Sequence, residues 1–83
     1  MNATPRLTLY YRSGCSLCEE MEAELLATQP SYGYQLETVD VDSDEALVAS
    51  YGHKVPVLTS WQGEEICHYF LDRTALAGYF SGE

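Results

Sequence analysis

Basic residues are scarce in this chain of 83 residues, which has 4 lysines and arginines against 13 aspartates and glutamates. The formal charge of −9 argues against a nucleic-acid partner, because phosphate backbones are bound by basic surfaces. Long apolar runs are also lacking: none approaches the ~18 residues that a membrane span needs, so no membrane partner is expected. Residues 1–8 do not have the charged-then-apolar layout of an export signal.

Cysteine is limited to three residues, Cys15, Cys18 and Cys67, so at least one of them has no partner within the molecule. Small secreted scaffolds usually carry a larger and even set. The count therefore points to a reducing compartment, and together with the N-terminal pattern it predicts a cytoplasmic protein. Cys67 lies in the middle of a predicted strand, where we expect a buried and unreactive thiol.

Strand and helix patterns alternate along the whole chain. Alternation of apolar and polar residues predicts four strands, at residues 6–11, 36–42, 55–59 and 65–70. Helical periodicity predicts three helices, at residues 16–28, 44–51 and 73–80. The order β-α-β-α-β-β-α predicts a single α/β domain over residues 1–83, with a four-stranded mixed sheet and helices on both faces.

Turn and capping signals separate these elements. Pro30 and the following residues 31–33 (SYG) are expected to end the first helix. Asp42 with Glu45 resembles a capping box for the second helix, and Gly52 is expected just beyond its end. A hairpin turn is predicted around residues 62–63, and Asp72 is predicted to cap the last helix, with Leu76, Tyr79 and Phe80 facing inward.

The spacing Cys15-Ser16-Leu17-Cys18 is the feature of the sequence that carries chemistry. Placed just before a helix, the Cys15 sulfur faces free backbone N–H groups and the positive end of the helix dipole, which favour the reactive thiolate. Cys18 lies one helical turn further on, where it can attack a mixed disulfide formed at Cys15. Gly14 allows a substrate to approach the backbone closely. Arg12 adds positive charge nearby, whereas acidic residues of the first turns act against it.

These residues resemble a glutaredoxin-type thioredoxin fold, in particular the small bacterial glutaredoxin-like domains. The resemblance rests on residues 12–18 (RSGCSLC) opening a helix after a strand, and on Val55-Pro56 about 40 residues later. It implies a thiol–disulfide oxidoreductase in which Cys15 is the nucleophile and Cys18 resolves the mixed disulfide. It also implies that Pro56 follows a cis peptide bond and that the Val55 backbone pairs with an extended substrate.

The resemblance further implies a glutathione site, with Arg12 at the glutathione carboxylate and Asp72 at its amine. Glutathione is then a possible co-substrate, with no tightly bound cofactor. The sequence departs from the family in having Ser16-Leu17, not Pro-Tyr, between the cysteines. It also lacks a Gly-Gly pair in residues 67–72 (CHYFLD). The implied partners are a disulfide-bearing protein or glutathione and a reductase that donates electrons, and the protein is expected to be a monomer.

Two other functions remain open at this level. A zinc site is one, because C-x-x-C is half of a common zinc motif; its other ligands would come from His53, Cys67 and His68. The second is a non-catalytic glutaredoxin-like module that docks on a larger redox partner. Two retained cysteines argue against such a module, because docking has no chemical need for a dithiol.

Overall fold

A computed structural model describes residues 4–81, so both ends of the predicted domain and part of the 1–8 segment lie outside the described residues. The elements are β1 (Arg6–Tyr11), α1 (Ser16–Tyr32), β2 (Gln35–Asp40), a 3₁₀ turn (Val41–Ser43), α2 (Glu45–Tyr51), β3 (Val57–Ser60), β4 (Glu65–His68) and α3 (Arg73–Ser81). Apart from the 3₁₀ turn, this is the predicted order.

The four strands form one mixed sheet in the order β2-β1-β3-β4. β1 pairs in parallel with β2 and antiparallel with β3, which pairs antiparallel with β4. Parallel neighbours need a long crossover connection, and α1 provides it between β1 and β2. The predicted mixed sheet is therefore confirmed, with β1 and β3 at its centre.

Both faces of the sheet are covered by helix, as predicted. On one face, α1 and α3 pack on the sheet around a core of Leu7, Leu9, Met21, Leu25, Tyr34, Leu58, Cys67 and Leu76. Tyr79 and Phe80 of α3 pack against this core. On the other face, α2 places the Tyr51 ring in a stack on Tyr10 of β1, with 4.3 Å between the ring centroids.

The first helix was predicted to end before Pro30, but in the structure it continues to Tyr32. Pro30 lies in the last turn and is exposed, so its missing N–H removes one hydrogen bond and leaves the rest of the helix intact. The helix ends at Gly33, whose φ of 75° is left-handed and whose N–H donates to the Gln29 carbonyl at 2.7 Å. A left-handed C-cap, not the proline, therefore ends α1.

The second strand stops at Asp40, two residues earlier than predicted. The Asp40 carboxylate accepts a hydrogen bond from the Asp42 N–H at 2.9 Å, which favours a turn over continued strand. The N-cap of α2 is Asp44, whose carboxylate accepts from the Ala46 N–H at 2.9 Å. The expected capping box starting at Asp42 is therefore wrong.

Gly52 follows Tyr51, the last residue of α2, as predicted, but its φ of −57° is right-handed and not the left-handed conformation common for glycine at a helix end. Glycine is required there by space: a Cβ would lie 2.6 Å from the carbonyl oxygen of Val48. The close contact of the helix end with its own preceding turn explains the residue.

The third and fourth strands are shorter than predicted. β3 begins at Val57, after the Val55-Pro56 segment, and β4 ends at His68, because Tyr69 turns left-handed with φ 67°. The predicted hairpin turn is present, with the Gly63 N–H donating to the Ser60 carbonyl at 3.0 Å. The predicted cap of α3 is also present, since the Asp72 carboxylate accepts from the Ala75 N–H at 3.0 Å.

Truncation of Leu25 tests the position of the core. Leu25→Ala removes a fully buried side chain of α1 and should lower the free energy of unfolding by about 2–5 kcal/mol, through lost burial and a residual cavity. Leu26→Ala is the matched control: Leu26 is 51% exposed, and its truncation should cost less than about 0.5 kcal/mol. Urea unfolding of both oxidised variants measures the difference, and equal costs would contradict the observed orientation of α1.

Candidate active site

The two cysteines lie at the start of α1, as predicted. Cys15 is the N-cap residue, with extended φ and ψ of −103° and 108°, and its sulfur accepts a hydrogen bond from the Cys18 N–H at 3.1 Å. The two sulfurs are joined as a disulfide, with 5.2 Å between the Cα atoms. The Cys15 sulfur thus takes the place of the oxygen that usually caps a helix.

The two cysteines differ in accessibility. Cys15 is half-buried, whereas Cys18 is 3% exposed and faces the interior. An external disulfide therefore has access to Cys15 first. Cys18 lies behind it, where it can reach Cys15 but not a bulky substrate.

The local charges act on the Cys15 sulfur in opposite directions. The backbone N–H of Cys18 and the positive end of the α1 dipole stabilise negative charge on the sulfur. The exposed carboxylates of Glu19 and Glu20 in the first turns oppose this effect. The hydrogen bond from the Cys18 N–H is direct, whereas the charges of Glu19 and Glu20 are screened by solvent.

Gly14 makes the turn that leads from β1 into the dithiol. Its φ is 73°, a conformation that side-chain-bearing residues rarely adopt, and a Cβ there would meet nothing within 4 Å. The backbone is therefore open on this side, and the role of Gly14 in substrate approach stays a prediction. Gly14 lines a depression together with Tyr11, Arg12, Cys18, Glu19 and Glu22.

Arg12 is held by an ion pair. Its Nη2 lies 3.0 Å from Asp42 Oδ1, its Nε lies 3.3 Å from each Asp42 carboxylate oxygen, and its Nη1 donates to the Gly52 carbonyl at 3.4 Å. Hydrogen bonding to Arg12 lowers the pKa of the Asp42 carboxyl and raises the pKa of the guanidinium. The positive charge expected next to Cys15 is thus largely neutralised by Asp42.

Sequence reasoning missed Asp42 as the partner of Arg12, although one signal was available. β1 and β2 are parallel, with Tyr11 opposite Asp40, so residues that follow the two strands emerge at one edge of the sheet. An arginine after one strand and a carboxylate after the next are brought together by that register alone.

The Val55-Pro56 peptide bond is cis, as the resemblance implied. Pro56 is buried, and Val57, which follows it, pairs with Tyr10 near the end of β1. Because β1 and β3 are antiparallel, the residues before Val57 lie at the same edge of the sheet as the residues after Tyr11. Val55 and Pro56 are therefore at the edge that carries the dithiol.

Tyr69 ties this segment to the end of β4 and was not identified from the sequence. Its backbone N–H donates to the Pro56 carbonyl at 2.8 Å, and its hydroxyl donates to the His53 carbonyl at 3.1 Å. A tyrosine with positive φ costs backbone free energy, and the two hydrogen bonds hold it there. No local sequence signal marks such a residue.

A second contact holds the same segment. Glu65 Oε1 lies 2.6 Å from Lys54 Nζ, and its Oε2 lies 2.6 Å from His68 Nδ1. The hydrogen bond from Lys54 lowers the pKa of the Glu65 carboxyl, with a smaller contribution from His68. His68 is thus a strand residue whose side chain is hydrogen-bonded, and Lys54 joins the loop before Pro56 to β4.

Asp72, just before α3, lies close to Cys67 of β4. Asp72 is engaged as the α3 cap, and Cys67 is a buried free thiol whose pKa is raised by burial. Asp72 lines a depression with Cys67 and residues of β4, separate from the depression that contains Gly14 and Cys18. Its binding role therefore remains a prediction.

Among residues 4–81, no three His, Cys, Asp or Glu side chains are grouped in a way that would hold a metal ion. The zinc alternative, which needed His53, Cys67 or His68 beside the dithiol, thus gains no support from their positions. Over the same residues, no helix is both long and apolar enough to cross a membrane.

A four-stranded mixed sheet with a C-x-x-C dithiol at the start of its first helix defines a domain of the thioredoxin superfamily. A family profile described as a glutaredoxin-like domain (DUF836) matches residues 6–81, and the chain belongs to this glutaredoxin-like family. The predicted fold and family are thereby confirmed. No match was found among curated proteins.

Solved structures agree with this assignment. Protein Ne2328 from Nitrosomonas europaea is 39% identical, with a TM-score of 0.87 over 98% of this chain and 96% of its own. Protein XcR50 from X. campestris is 34% identical, with a TM-score of 0.71 over 93% of this chain and 97% of its own. Thioredoxin 1 from Thermosipho africanus is 16% identical, with a TM-score of 0.62 over 89% and 92% of the two chains, and shares the fold.

The Arg12–Asp42 ion pair predicts a pH effect. Arg12→Gln should raise the pKa of the Asp42 carboxyl towards its ordinary value of 3.8. Since the folded-state pKa lies below the unfolded one, the ion pair stabilises the protein above pH 3.8, and this contribution is lost as pH falls through the folded-state pKa. NMR titration of the carboxyl carbons measures the shift. The pKa of Glu65 should stay lowered in the variant, and an unchanged pKa of Asp42 would refute the pairing.

Burial of Cys67 predicts selective alkylation. In the native oxidised protein, iodoacetamide should add no group, and after unfolding it should add one, because Cys67 is the free cysteine. In the native reduced protein, Cys15 should react far faster than Cys67, since burial raises the pKa of the Cys67 thiol and blocks access. Peptide mass spectrometry locates the label; similar rates at Cys15 and Cys67 would contradict this arrangement.

Proposed function

We propose that the protein is a small thiol–disulfide oxidoreductase of glutaredoxin type that reduces protein disulfides or glutathione mixed disulfides. The observation that carries the proposal is the position of Cys15, whose sulfur caps α1 and accepts the Cys18 N–H while remaining half-exposed. The family assignment and the dithiol spacing support the same chemistry. A docking module without turnover would have no use for this arrangement.

The exchange consists of two displacements. The Cys15 thiolate attacks one sulfur of the substrate disulfide, and the other sulfur leaves as a thiolate that takes a proton from water. Cys18 then loses its proton and attacks the Cys15 sulfur, which releases the second substrate thiol and leaves the Cys15–Cys18 disulfide. Two electrons pass from the dithiol to the substrate. A thiol donor, glutathione or a reductase, returns them in the next half of the cycle.

The neighbouring residues have proposed roles in positioning the substrate. The Val55 backbone, at the dithiol edge of the sheet, would pair with an extended substrate segment, and Pro56 would fix its direction. Gly14 leaves the backbone accessible beside Cys15. In this proposal Arg12 and Asp72 hold the charged ends of a glutathionyl group. The group would compete with Asp42 for Arg12 and with the Ala75 N–H for Asp72.

The remaining assignments belong to the same proposal. The protein would work as a monomer in the cytoplasm, without a tightly bound cofactor. The free thiol of Cys67 supports a reducing compartment, because an exported domain usually pairs its cysteines.

Three cysteine variants test the proposal. Cys15→Ser should reduce turnover of 2-hydroxyethyl disulfide with glutathione to background, because the nucleophile is lost. Cys18→Ser should accumulate a mixed disulfide on Cys15, detectable by intact mass, and keep any one-thiol reaction with glutathione. Cys67→Ala is the matched control and should keep wild-type turnover. Activity lost in Cys18→Ser but fully kept in Cys15→Ser would reverse the two roles.

A redox titration in glutathione buffers separates the proposal from its alternatives. Cys15 and Cys18 should form a disulfide with a potential between about −270 and −180 mV, the range of thioredoxins, glutaredoxins and isomerases. If both thiols stay reduced and unreactive across the series, the oxidoreductase proposal fails. Metal analysis of protein purified without chelator then distinguishes a zinc site from a docking module.

A further inference from the structure

A groove lies between the first turns of α1 and the segment that follows β4. We call it the Leu17 groove. Its lining residues are Leu17, Glu20, Met21, Glu24, Tyr69, Phe70 and Leu71. Leu17 stands between the two cysteines in sequence, so one end of the groove lies at the first turn of α1, and the groove follows one face of the helix away from that turn.

The groove has both apolar and acidic lining residues, and part of its apolar surface is exposed to solvent. Phe70 is 66% exposed and Tyr69 is 41% exposed, and Leu17 is half-buried beside them. Exposed apolar area of this kind is stabilised when another apolar side chain covers it. Tyr69 is fixed by its hydrogen bonds to Pro56 and His53, so this wall is preorganised and loses little conformational entropy on binding.

The rim of the groove is negatively charged. Glu20 and Glu24 lie along α1 and are exposed to solvent, and Glu19 and Glu22 line the depression on the Cys18 side. Arg12, the basic residue in that depression, is neutralised by Asp42. A molecule approaching Cys15 therefore meets negative charge on both sides, with no free basic side chain among the residues that line these two surfaces.

We propose that the Leu17 groove binds protein substrates in which the reactive cysteine is flanked by an apolar side chain and by lysine or arginine. The apolar side chain would cover Leu17 and Phe70, and the basic side chains would pair with Glu20 and Glu24. Of the two substrate classes in the proposed function, the same charges would favour such protein disulfides over glutathione disulfides, because each glutathione carries two carboxylates and one amine. The inference rests on the proposed oxidoreductase function and specifies the substrate class of that same dithiol.

Peptide disulfides of controlled charge test this inference. Three symmetrical peptide disulfides are compared. In the first peptide, lysines flank a leucine–cysteine pair. The second has glutamates in place of the lysines, and the third has glycine in place of the leucine. In each reaction the reduced dithiol becomes a disulfide and the peptide disulfide becomes two thiols. The loss of alkylatable Cys15 and Cys18, followed by mass spectrometry, gives the rate constant. Division by the rate of 2-mercaptoethanol with the same peptide removes the intrinsic reactivity of each disulfide.

The corrected rate constant should be at least about tenfold larger for the lysine than for the glutamate peptide at low ionic strength, and the ratio should fall with added salt. Glu20→Gln with Glu24→Gln should lower this ratio at least about threefold. Glu37→Gln with Glu64→Gln is the matched control; it removes the same charge from β2 and from the β3–β4 turn and should leave the ratio near wild type. Phe70→Ser should remove most of the advantage of leucine over glycine.

The neutral 2-hydroxyethyl disulfide distinguishes a failure of the proposed substrate class from a failure of the proposed oxidoreductase function. If it oxidises Cys15 and Cys18 while the lysine and glutamate peptides react equally, the substrate class is wrong and the oxidoreductase function stands. If both double variants lower the ratio of the lysine to the glutamate rate constant equally, binding in the Leu17 groove is also refuted. The preference would then depend on the net charge of the protein and not on the position of the glutamates. If none of the disulfides reacts with the dithiol, the oxidoreductase function fails and the inference with it.

Discussion

The parallel pairing of β1 with β2 is the constraint on which the site depends. Two parallel neighbours require the chain to return from the end of one strand to the start of the next, and α1 makes this return across one face of the sheet. The helix must then begin where β1 ends. Its free N–H groups and positive dipole end come to the sheet edge, and Cys15 occupies that position.

The elements that sequence reasoning placed correctly are those specified by neighbours in the chain. β1 alternates over its whole length, and Asp72 caps α3 through a hydrogen bond three residues away. The errors occurred where two local signals compete. Asp42 and Asp44 are both suitable caps for α2, and the contact of Asp42 with Arg12 removes the first from that role. Pro30 is a breaker in general but is tolerated in the last turn of α1.

The same distinction between local and long-range signals applies to the residues of the candidate site. Cys15 and Cys18 could be found from the sequence because their spacing and the following helical pattern are local. The residues that shape the surroundings act over long separations. Asp42 meets Arg12 across 30 residues, and Tyr69 meets the His53 carbonyl across 16. These contacts depend on strand register and on a tyrosine whose backbone is in the left-handed conformation. Neither can be recognised from the composition or the periodicity of the sequence.

The unequal exposure of Cys15 and Cys18 limits how partners can take part in a reaction. The molecule presents one sulfur to the outside, so an electron acceptor and an electron donor must use the same opening. They cannot be bound at that opening simultaneously. The proposed catalytic cycle would therefore be of the ping-pong kind, in which the oxidised protein is a free species between two encounters. Each partner then acts as a competitive inhibitor of the other when it binds the wrong redox form.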